Sequence, residues 1–354
     1  YGITGSGKTE VYIELIKHVI KDNKKVIVLI PEISLTYQTV IRLKQVFEEE
    51  ISIIHSRMSE GEKYLSYKKC LDGKASILVG PRSAIFAPFD DLGLIVIDEV
   101  HDHSYKQDVS PRYDTLDIAR YRMKRQECML LTLSATPSVS HYYRALHNDD
   151  ITIHRLTKRA SKNVSLPSIS LVDMREEFHS KNKSSFSKAL KELIKERLDN
   201  KEQVMLFMNK RGLSRFEKCL DCGETIKCPH CDVSLVVHND GKAKCHYCGY
   251  EENIATTCPK CHSDHIISFG MGTERLEEKC KEEFPTARIL RMDRDTTIKK
   301  GGMDNIIKDF RNNKADILIG TQMIVKGHDF PNVTLVGIMC ADMSLYMPTY
   351  KATE

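Results

Sequence analysis

Short, continuous apolar runs recur along the first part of the chain and alternate with segments of helical periodicity. The runs are KVIVLI from Lys25, ISIIH from Ile51, SILVG from Ser76, LIVID from Leu94 and MLLTL from Met129. Runs of this length, rich in Val, Ile and Leu, are typical of strands buried in a parallel sheet. Between them, apolar residues at helical spacing predict helices over residues 10–21, 35–49, 61–71 and 115–124. This alternation predicts a parallel α/β lobe.

The same alternation returns in the second half of the chain. Strands are predicted for QVMLFM from Gln203, RILRM from Arg288, DILIG from Asp316 and VTLVGIM from Val333, with helices over residues 186–198, 273–284 and 305–310. Residues 157–168 are basic and weakly patterned, which predicts a linker between two lobes. The predicted domains are therefore a first lobe over 1–156, a second lobe over 169–216 and 264–354, and an insertion into that second lobe over 217–263.

Composition narrows the class of protein only moderately. A chain of 354 residues can build two ordinary domains. The formal net charge is only +4, so any nucleic-acid surface must be local. No long apolar run and no secretion leader are present, so we expect a cytoplasmic protein without a membrane partner. The chain starts without Met, directly on a glycine-rich loop that a strand should precede, so we expect it to be part of a longer protein.

The opening residues, YGITGSGKTEVY, match the phosphate-binding loop pattern at the start of a predicted helix. Glycines let backbone N–H groups turn toward a phosphate, Lys8 can reach the β- and γ-phosphates, and the Thr9 hydroxyl can bind Mg²⁺. The predicted nucleotide-binding residues are Gly2, Ile3, Thr4, Gly5, Ser6, Gly7, Lys8 and Thr9. The pattern fits ATP or GTP, and an ordinary glycine turn before a helix is the alternative.

A second nucleotide motif, Asp98-Glu99-Val100-His101, ends the apolar run LIVID. Asp98 can hold Mg²⁺ together with Thr9, and Glu99 can orient or deprotonate the attacking water. Lys8, Asp98 and Glu99 are the predicted catalytic residues. A third motif, Ser134-Ala135-Thr136, follows the fifth run and is expected to couple nucleotide state to movement. Taken in this order, the motifs resemble the first RecA-like motor lobe of superfamily 2 helicases and translocases.

Eight of the 12 cysteines stand in four C-x-x-C pairs inside the predicted insertion. In a reducing compartment such spacing predicts bound metal rather than disulfides. The extended runs on either side of Asn239-Asp240-Gly241 predict a hairpin, which would bring the two inner pairs together. One predicted zinc is therefore held by Cys228, Cys231, Cys245 and Cys248, and the other by Cys219, Cys222, Cys258 and Cys261. Closed four-thiolate sites are structural, and an iron–sulfur cluster is the alternative.

The remaining metal-type side chains are expected to have other roles. Because both predicted sets are complete, His230, His238, His246 and His262 are expected to face solvent or to support the sites. Cys70, Cys128, Cys280 and Cys340 lie in helix or strand patterns and are predicted to be core thiols.

Long sequence blocks on both sides of the cysteines resemble one family. The blocks are GITGSGKTEVY, LIPEISLT, HSRMSEGEKY, PRSAIFAPF, HDHSYKQDVSPRY, LFMNKRG, FGMGTERLEE, FPTARILRMDRDTT and ILIGTQMIVKGHDFPNVTLVGI. They are similar to those of the primosomal protein N′ (PriA) family of replication-restart helicases, and the resemblance covers nearly the whole chain.

The resemblance implies an ATP-dependent 3′ to 5′ DNA helicase that acts at stalled or branched forks and helps to assemble a primosome. It implies ATP, Mg²⁺ and two Zn²⁺ as cofactors. The implied partners are branched and single-stranded DNA, primosome proteins and single-strand-binding proteins. The zinc insertion would contact DNA or these proteins and help to separate strands.

The resemblance also places further site residues. It matches Tyr105, Lys106, Gln107, Arg112 and Tyr113 to an aromatic-rich loop that links DNA contact to hydrolysis. Stacking of aromatic rings on bases and pairing of cations with phosphates fit such a loop. Gly272–Arg275 and Gly320–Gln322 resemble motor motifs at strand ends, and Lys326, Gly327 and His328 are expected near the lobe cleft or the DNA.

Some features depart from the family. Val100 replaces a second glutamate and Pro81 replaces a threonine, and the chain stops before the family's arginine-rich QVxGRAGR block. We therefore expect slow ATP turnover by this chain alone. Two other interpretations stay open: a zinc-bearing translocase of DNA uptake or repair, and a primosome scaffold with a degenerate motor. A nucleotide kinase would explain the phosphate loop and nothing downstream.

Overall fold

The computed structural model divides the chain into two compact units, Tyr1–Pro167 and Ser168–Glu354. The residues described are 1–3, 5–31, 38–56, 58–148, 150–160, 167–182, 184–208, 216–238, 240–269, 272–297, 302–325 and 330–346. The boundary between the units falls within residues 157–168, the stretch predicted to be a linker.

The first unit is built on a five-stranded parallel sheet. Its strands are β1 (Lys25–Leu29), β2 (Ile51–Ile53), β3 (Ile77–Gly80), β4 (Leu92–Ile97) and β7 (Met129–Thr132), in the order β2-β3-β1-β4-β7. β1 and β4 lie at the centre, and their Val, Ile and Leu side chains are buried on both faces. The five apolar runs are thus confirmed as strands, and the carboxyl ends of β4 and β7 carry the Asp98–His101 and Ser134–Thr136 motifs.

Five helices of the first unit are α1 (Lys8–Lys21), α2 (Gln38–Phe47), α3 (Glu60–Leu71), α4 (Thr115–Gln126) and α5 (Val139–His147). Local sequence sets several of their boundaries. Ser59 and Glu62 form a capping box that starts α3, and the Asp114 carboxylate accepts a hydrogen bond from Leu116 N at the start of α4. The antiparallel pair β5 (Lys106–Gln107) and β6 (Tyr113–Asp114) precedes α4.

The second unit has a four-stranded parallel sheet in the order β14-β15-β8-β16. The strands are β8 (Gln203–Met208), β14 (Ile289–Met292), β15 (Ile317–Gly320) and β16 (Val333–Met339). Its helices are α6 (Met174–His179), α7 (Lys188–Asp199), α8 (Thr273–Glu283), α9 (Arg294–Thr297), α10 (Gly302–Arg311) and α11 (Gln322–Val325). Apolar side chains of α7, α8 and α10 fill the two cores of this sheet. The four strands predicted in this half are confirmed.

The insertion leaves and re-enters the second unit through an antiparallel pair, β9 (Phe216–Cys219) and β13 (Ile266–Phe269). Between these strands, β10 (Val236–Val237), β11 (Lys242–Lys244) and β12 (Glu251–Asn253) form a small antiparallel sheet. The predicted hairpin is confirmed as β10 and β11, although Asn239 lies outside the described residues. A short core of Ile226, Leu235 and Ala243 lies under the cysteines.

A few elements differ from the sequence expectations. α1 begins at Lys8 instead of residue 10, and α2 covers residues 38–47, with residues 35–37 outside the described part. α10 begins at Gly302 rather than 305. The sequence did not predict α5, α6, the β5–β6 pair or β12, which are short or polar. Within the described ranges, no helix combines the length and apolarity that a membrane span requires.

Candidate nucleotide and zinc sites

The phosphate loop places two glycines in the left-handed region, Gly5 at φ 75° and Gly7 at φ 83°. Gly7 is also the N-cap of α1, and no side chain caps the first turn. Among the described residues, no side chain bonds to the first N–H groups of this 14-residue helix, so these groups can bind an anion. A Cβ at Gly2 would lie 2.5 Å from Ser6 Oγ, so this position also requires glycine.

The other predicted loop residues lie around this turn. Lys8 Nζ donates to the carbonyl of Gly2 at 3.0 Å, which folds the side chain back across the loop. Ser6 Oγ is buried and has no hydrogen-bond partner in the described structure, as expected of a group that awaits a ligand. Ile3 N donates to Leu156 O at 3.2 Å. Thr4 lies outside the described residues. These features fit a bound phosphate chain.

Asp98 follows β4 and occupies a partly buried position near the loop. Burial, with a contribution from the Glu99 carboxylate, raises its pKa to about 6, while the Glu99 N–H and Lys8 act in the opposite direction. Glu99 N donates to Asp98 Oδ1 at 2.9 Å. Glu99 itself has φ 48°, a left-handed conformation that costs a non-glycine residue about 1–2 kcal/mol. Strain and desolvation thus concentrate on the two predicted acidic residues.

The raised pKa of Asp98 predicts how the stability gain of Asp98→Asn depends on pH. Above the ordinary pKa of 3.8 the unfolded state ionises Asp98, while the folded state resists ionisation up to about pH 6. Stability of the wild type is therefore lost as pH rises through this window. The full shift corresponds to roughly 3 kcal/mol, which we reduce to about 2 kcal/mol because Asp98 is only partly buried.

We expect Asp98→Asn to be about 2 kcal/mol more stable than wild type at pH 7.5 and equal to it at about pH 2.5, below both pKa values, where both states of the wild type are protonated. Urea unfolding without nucleotide or Mg²⁺ measures the difference. Asp91→Asn, at an exposed position, is the control and should show no such pH dependence. A variant whose gain does not change with pH would contradict the argument.

A hydrogen-bond network joins the three nucleotide motifs of the first unit. His101 Nδ1 lies 2.8 Å from Ser134 Oγ, and Ser134 Oγ also accepts from Thr136 N at 3.0 Å. The carbonyl of Ser134 accepts from Gly2 N at 3.2 Å. Ser134 therefore contacts the phosphate loop and the acidic motif at once. Such an arrangement can pass a change at one motif to the others.

The structure corrects one part of the aromatic-loop expectation. Tyr105 is only 4% exposed, and its hydroxyl donates to Asp98 O at 2.6 Å and Leu29 O at 3.0 Å. Burial, with the charge of Asp98, raises its pKa well above the usual value. Its ring has no free face for a base, because it packs in the core behind the acidic motif.

The other four loop residues lie toward the surface. Lys106 and Gln107 form β5, and Tyr113 pairs with Gln107 across β6. Arg112 Nε donates to Asp108 O at 3.0 Å. The Tyr113 ring makes an edge contact with Phe86, with ring centroids 5.1 Å apart, and Phe86 is 54% exposed. Phe86, which is exposed, and Tyr113, which is half-buried, thus form an aromatic pair at the surface of this region.

Three residues of this region were missed in the sequence. Arg82 Nη1 donates to the carbonyls of Ser104 and Lys106, so it fixes the backbone of the aromatic-rich loop on both sides of Tyr105. The Tyr12 hydroxyl is buried close to Asp98, and burial and that carboxylate raise its pKa. The third is Phe86. Arg82 and Phe86 lie in the block PRSAIFAPF, which was their only sequence signal. Tyr12 had no such signal, because its place in the helical pattern is typical of a core residue.

The eight paired cysteines form two clusters in which the sulfur atoms lie within 4.8 Å of one another. The outer set is Cys219, Cys222, Cys258 and Cys261, and the inner set is Cys228, Cys231, Cys245 and Cys248. The Sγ–Sγ distances are 3.6 Å for Cys219–Cys261 and 3.5 Å for Cys222–Cys258. Tetrahedral thiolates at about 2.3 Å from Zn²⁺ would be about 3.8 Å apart, whereas a disulfide needs about 2.05 Å. Both sets therefore fit zinc.

All four C-x-x-C turns share one backbone pattern. The first cysteine's carbonyl accepts from the N–H four residues later, and its N–H donates to the carbonyl five residues later. The residue four positions on has positive φ each time: Gly223, Asp232, Gly249 and His262. This turn directs both thiols of a pair to the same side. Glycines at two of these positions were a sequence signal for the turn.

The other predicted residues have separate positions. Cys70, Cys128 and Cys280 are buried in the two units, and Cys340 is half-buried after β16. His238 and His246 are exposed side by side, with their Nε2 atoms 3.3 Å apart. Thr273 Oγ1 donates to Asp293 Oδ2 at 2.6 Å at the start of α8. A Cβ at Gly320 would lie 2.6 Å from Met292 O, so the strand end is tightly packed there. Lys326, Gly327 and His328 lie outside the described residues.

Comparison with known families matches three models to successive parts of the chain. The DEAD/DEAH box helicase model matches residues 1–145, and the helicase conserved C-terminal domain model matches residues 253–351. Between them, the model of the PriA DNA helicase Cys-rich region matches residues 228–252. The chain thus combines two RecA-like lobes that match helicase domain families with a cysteine-rich insertion in the second lobe.

Relatives identify the family more closely. The replication restart protein PriA of Bacillus subtilis is 48% identical over 355 residues, covering 100% of this chain and 44% of the relative. That of Chlamydia muridarum is 42% identical, covering 100% of this chain and 47% of the relative. The chain belongs to the PriA family of replication restart proteins, and it spans just under half the length of these relatives.

Solved structures support the fold alone. The structure of RecG bound to a three-way DNA junction has a TM-score of 0.51 at 15% identity and covers 95% of this chain and 34% of that one. The helicase MrfA bound to DNA and AMPPNP has a TM-score of 0.55 at 14% identity, covering 96% of this chain and 41% of that one.

Proposed function

We propose that this protein is an ATP-driven DNA helicase that moves 3′ to 5′, acts at stalled or branched replication forks and restarts replication by primosome assembly. The observation that carries the proposal is the match of the whole chain to PriA relatives at up to 48% identity. The intact Lys8, Thr9, Asp98 and Glu99 in that chain favour a working motor over a degenerate one.

In the proposed ATP site, the first turn of α1 and the loop N–H groups bind the phosphates, and Lys8 leaves the Gly2 carbonyl to reach them. Thr9 and Asp98 would hold Mg²⁺, which supplies charge neutralisation on the phosphates when it is bound. Glu99 would accept a proton from the attacking water. Its left-handed backbone, at φ 48°, supports this role because strain of this kind is retained where a side chain must be aimed.

In the proposed DNA-coupling loop, aromatic and cationic residues have separate roles. Tyr113 and the newly recognised Phe86 offer rings to bases, and Lys106 and Arg112 offer charge to phosphates. Tyr105 instead connects the loop to the nucleotide site, through the Asp98 carbonyl. Because Arg82 fixes the same loop, a shift at the surface would move Tyr105 and Asp98 together.

Tyr105→Phe tests this division. The variant keeps the buried ring and loses only the two hydrogen bonds, so we expect a stability loss of about 1–2 kcal/mol and a drop of roughly tenfold in DNA-stimulated ATP turnover. Turnover without DNA should change by less than about twofold. Steady-state hydrolysis with and without single-stranded DNA measures the two turnover rates. Tyr64→Phe, at a Tyr that is 63% exposed on α3, is the matched control.

The function itself is tested by unwinding. Full-length protein with ATP would be mixed with fork substrates that carry a 3′ or a 5′ single-stranded arm, labelled for strand separation. The proposal expects ATP-dependent unwinding from the 3′ arm and preference for forks over linear duplexes. Translocation on DNA without fork preference would favour the uptake or repair translocase. Partner binding with no DNA-dependent hydrolysis would favour the scaffold.

A further inference from the structure

The helix α6 touches the outer cysteine set at several points. Arg175 Nη1 donates to Cys222 O at 3.4 Å, and its side chain lies 3.2 Å from where a Cβ on Gly223 would stand. His179 Nδ1 lies 3.8 Å from Asp221 Oδ1. Cys222, Gly223 and Asp221 all belong to the first C-x-x-C turn. α6 therefore packs against the turn that supplies two of the four outer cysteines.

The last C-x-x-C turn is joined to the same helix. The Phe178 ring makes an edge contact with the His265 ring, with centroids 5.2 Å apart. His265 Nδ1 in turn lies 2.8 Å from Asp221 Oδ2, which also accepts from Ser263 Oγ. Asp221 thus ties the first turn to the segment that follows the last one. The β9–β13 pairing and the outer cysteines together hold the two turns side by side, so these contacts depend in part on the outer cysteine set.

α6 is also fixed to the lobe, through Glu177. Glu177 Oε2 accepts from Lys188 N at 3.1 Å and from Asn182 Nδ2 at 2.6 Å, so it binds the start of α7. α7 buries Ile194 in the core of the four-stranded sheet. α6 is consequently one connection between the outer cysteine set and the sheet, and it is also the first helix described in the second unit.

We infer that the outer zinc set has a second role, as the anchor that positions α6 and thereby the beginning of the second unit. The inner set has no such role. The physical basis is that α6 has six residues, too short to be stable alone, and none of them is fully buried. Its structure depends on the surfaces that it touches, and the outer turns are one of the two. This inference does not depend on the helicase activity proposed above.

Hydrogen exchange tests the anchor directly. Cys261→Ser weakens the outer set, and Cys248→Ser is the matched change in the inner set, because both are exposed fourth ligands. In full-length protein we expect Cys261→Ser to lower protection of residues 174–182 about tenfold or more, and Cys248→Ser to leave it near wild type. Equal loss in both variants, or no loss in either, would overturn the inference.

A reciprocal measurement covers the case in which the cysteine variants do not fold. If the outer set stabilises α6, then α6 stabilises the outer set by the same coupling free energy. We expect Arg175→Ala to speed zinc release from the outer set about threefold or more, followed with a chromogenic chelator. Glu176→Ala, on the same helix but away from the turns, should leave both release phases unchanged. Identical release from Arg175→Ala and wild type would contradict the anchor.

Discussion

In full-length protein, Lys8→Ala is expected to reduce ATP hydrolysis by a factor of about 100 or more, whatever DNA is added. Lys8 is the cation of the phosphate loop, and its only described side-chain contact is the 3.0 Å hydrogen bond to the Gly2 carbonyl. The substitution should therefore remove the positive charge that stabilises negative charge developing on the phosphates, while leaving the fold intact. Loss of ATP binding, followed with a fluorescent analogue, should accompany the loss of turnover.

The control for this experiment lies on the same helix. Lys17→Ala removes an equal charge from α1, where Lys17 forms a surface ion pair with Glu14, and should keep near-normal turnover. Circular dichroism and thermal unfolding establish that both variants fold. If Lys8→Ala retained turnover within about threefold of wild type, the phosphate loop would not be the hydrolytic site and the motor would have to be sought elsewhere.

Cys228→Ser should lower the bound zinc from two ions to one per chain and leave residues 228–248 without fixed structure. The core under the inner set consists of a few small and aliphatic side chains, so its folding free energy comes mainly from the metal. Structural zinc sites of this kind contribute about 10 kcal/mol or more. Metal analysis and limited proteolysis of the insertion measure the two consequences, and chelators should reproduce the second.

Cys70→Ser separates a ligand thiol from a core thiol. Cys70 is buried in the first unit and its pKa is raised to about 11 by burial, as expected of an unreactive thiol. Its replacement should cost about 1–3 kcal/mol of stability but keep both zinc ions.

Two outcomes would contradict the zinc assignment. Iron and visible absorption in the purified protein would support the iron–sulfur alternative. Two zinc ions in Cys228→Ser would exclude Cys228 as a ligand.

The parts of the fold that depend on short-range pattern could be predicted from the sequence. Apolar runs fix buried strands, since each side chain of β1 or β4 must meet apolar neighbours on both faces. The division of eight cysteines into an outer and an inner set followed from one turn signal and from chain connectivity. These inferences need no knowledge of how distant segments meet.

The parts that were missed depend on distant contacts. Tyr105 resembles a surface aromatic in a polar loop, and it is buried because its hydroxyl reaches Leu29 O, which is 76 positions away. Arg122 resembles a helix-surface cation, yet its guanidinium donates to the carbonyls of Ile85, Ala87 and Phe89. No local pattern reveals such partners. The same holds for α6, whose structure is set by surfaces on either side of it.

The pairing of β9 with β13 has a consequence for how this family can vary. The two strands bring the ends of the insertion together, and the outer cysteines close them a second time a few residues further on. The chain between Cys222 and Cys258 is thus a loop on a fixed base, and lengthening a closed loop costs only about 0.6 kcal/mol for each doubling. We therefore expect that replacing the inner ribbon by another segment, or shortening it to a turn, would leave the motor sheet unchanged.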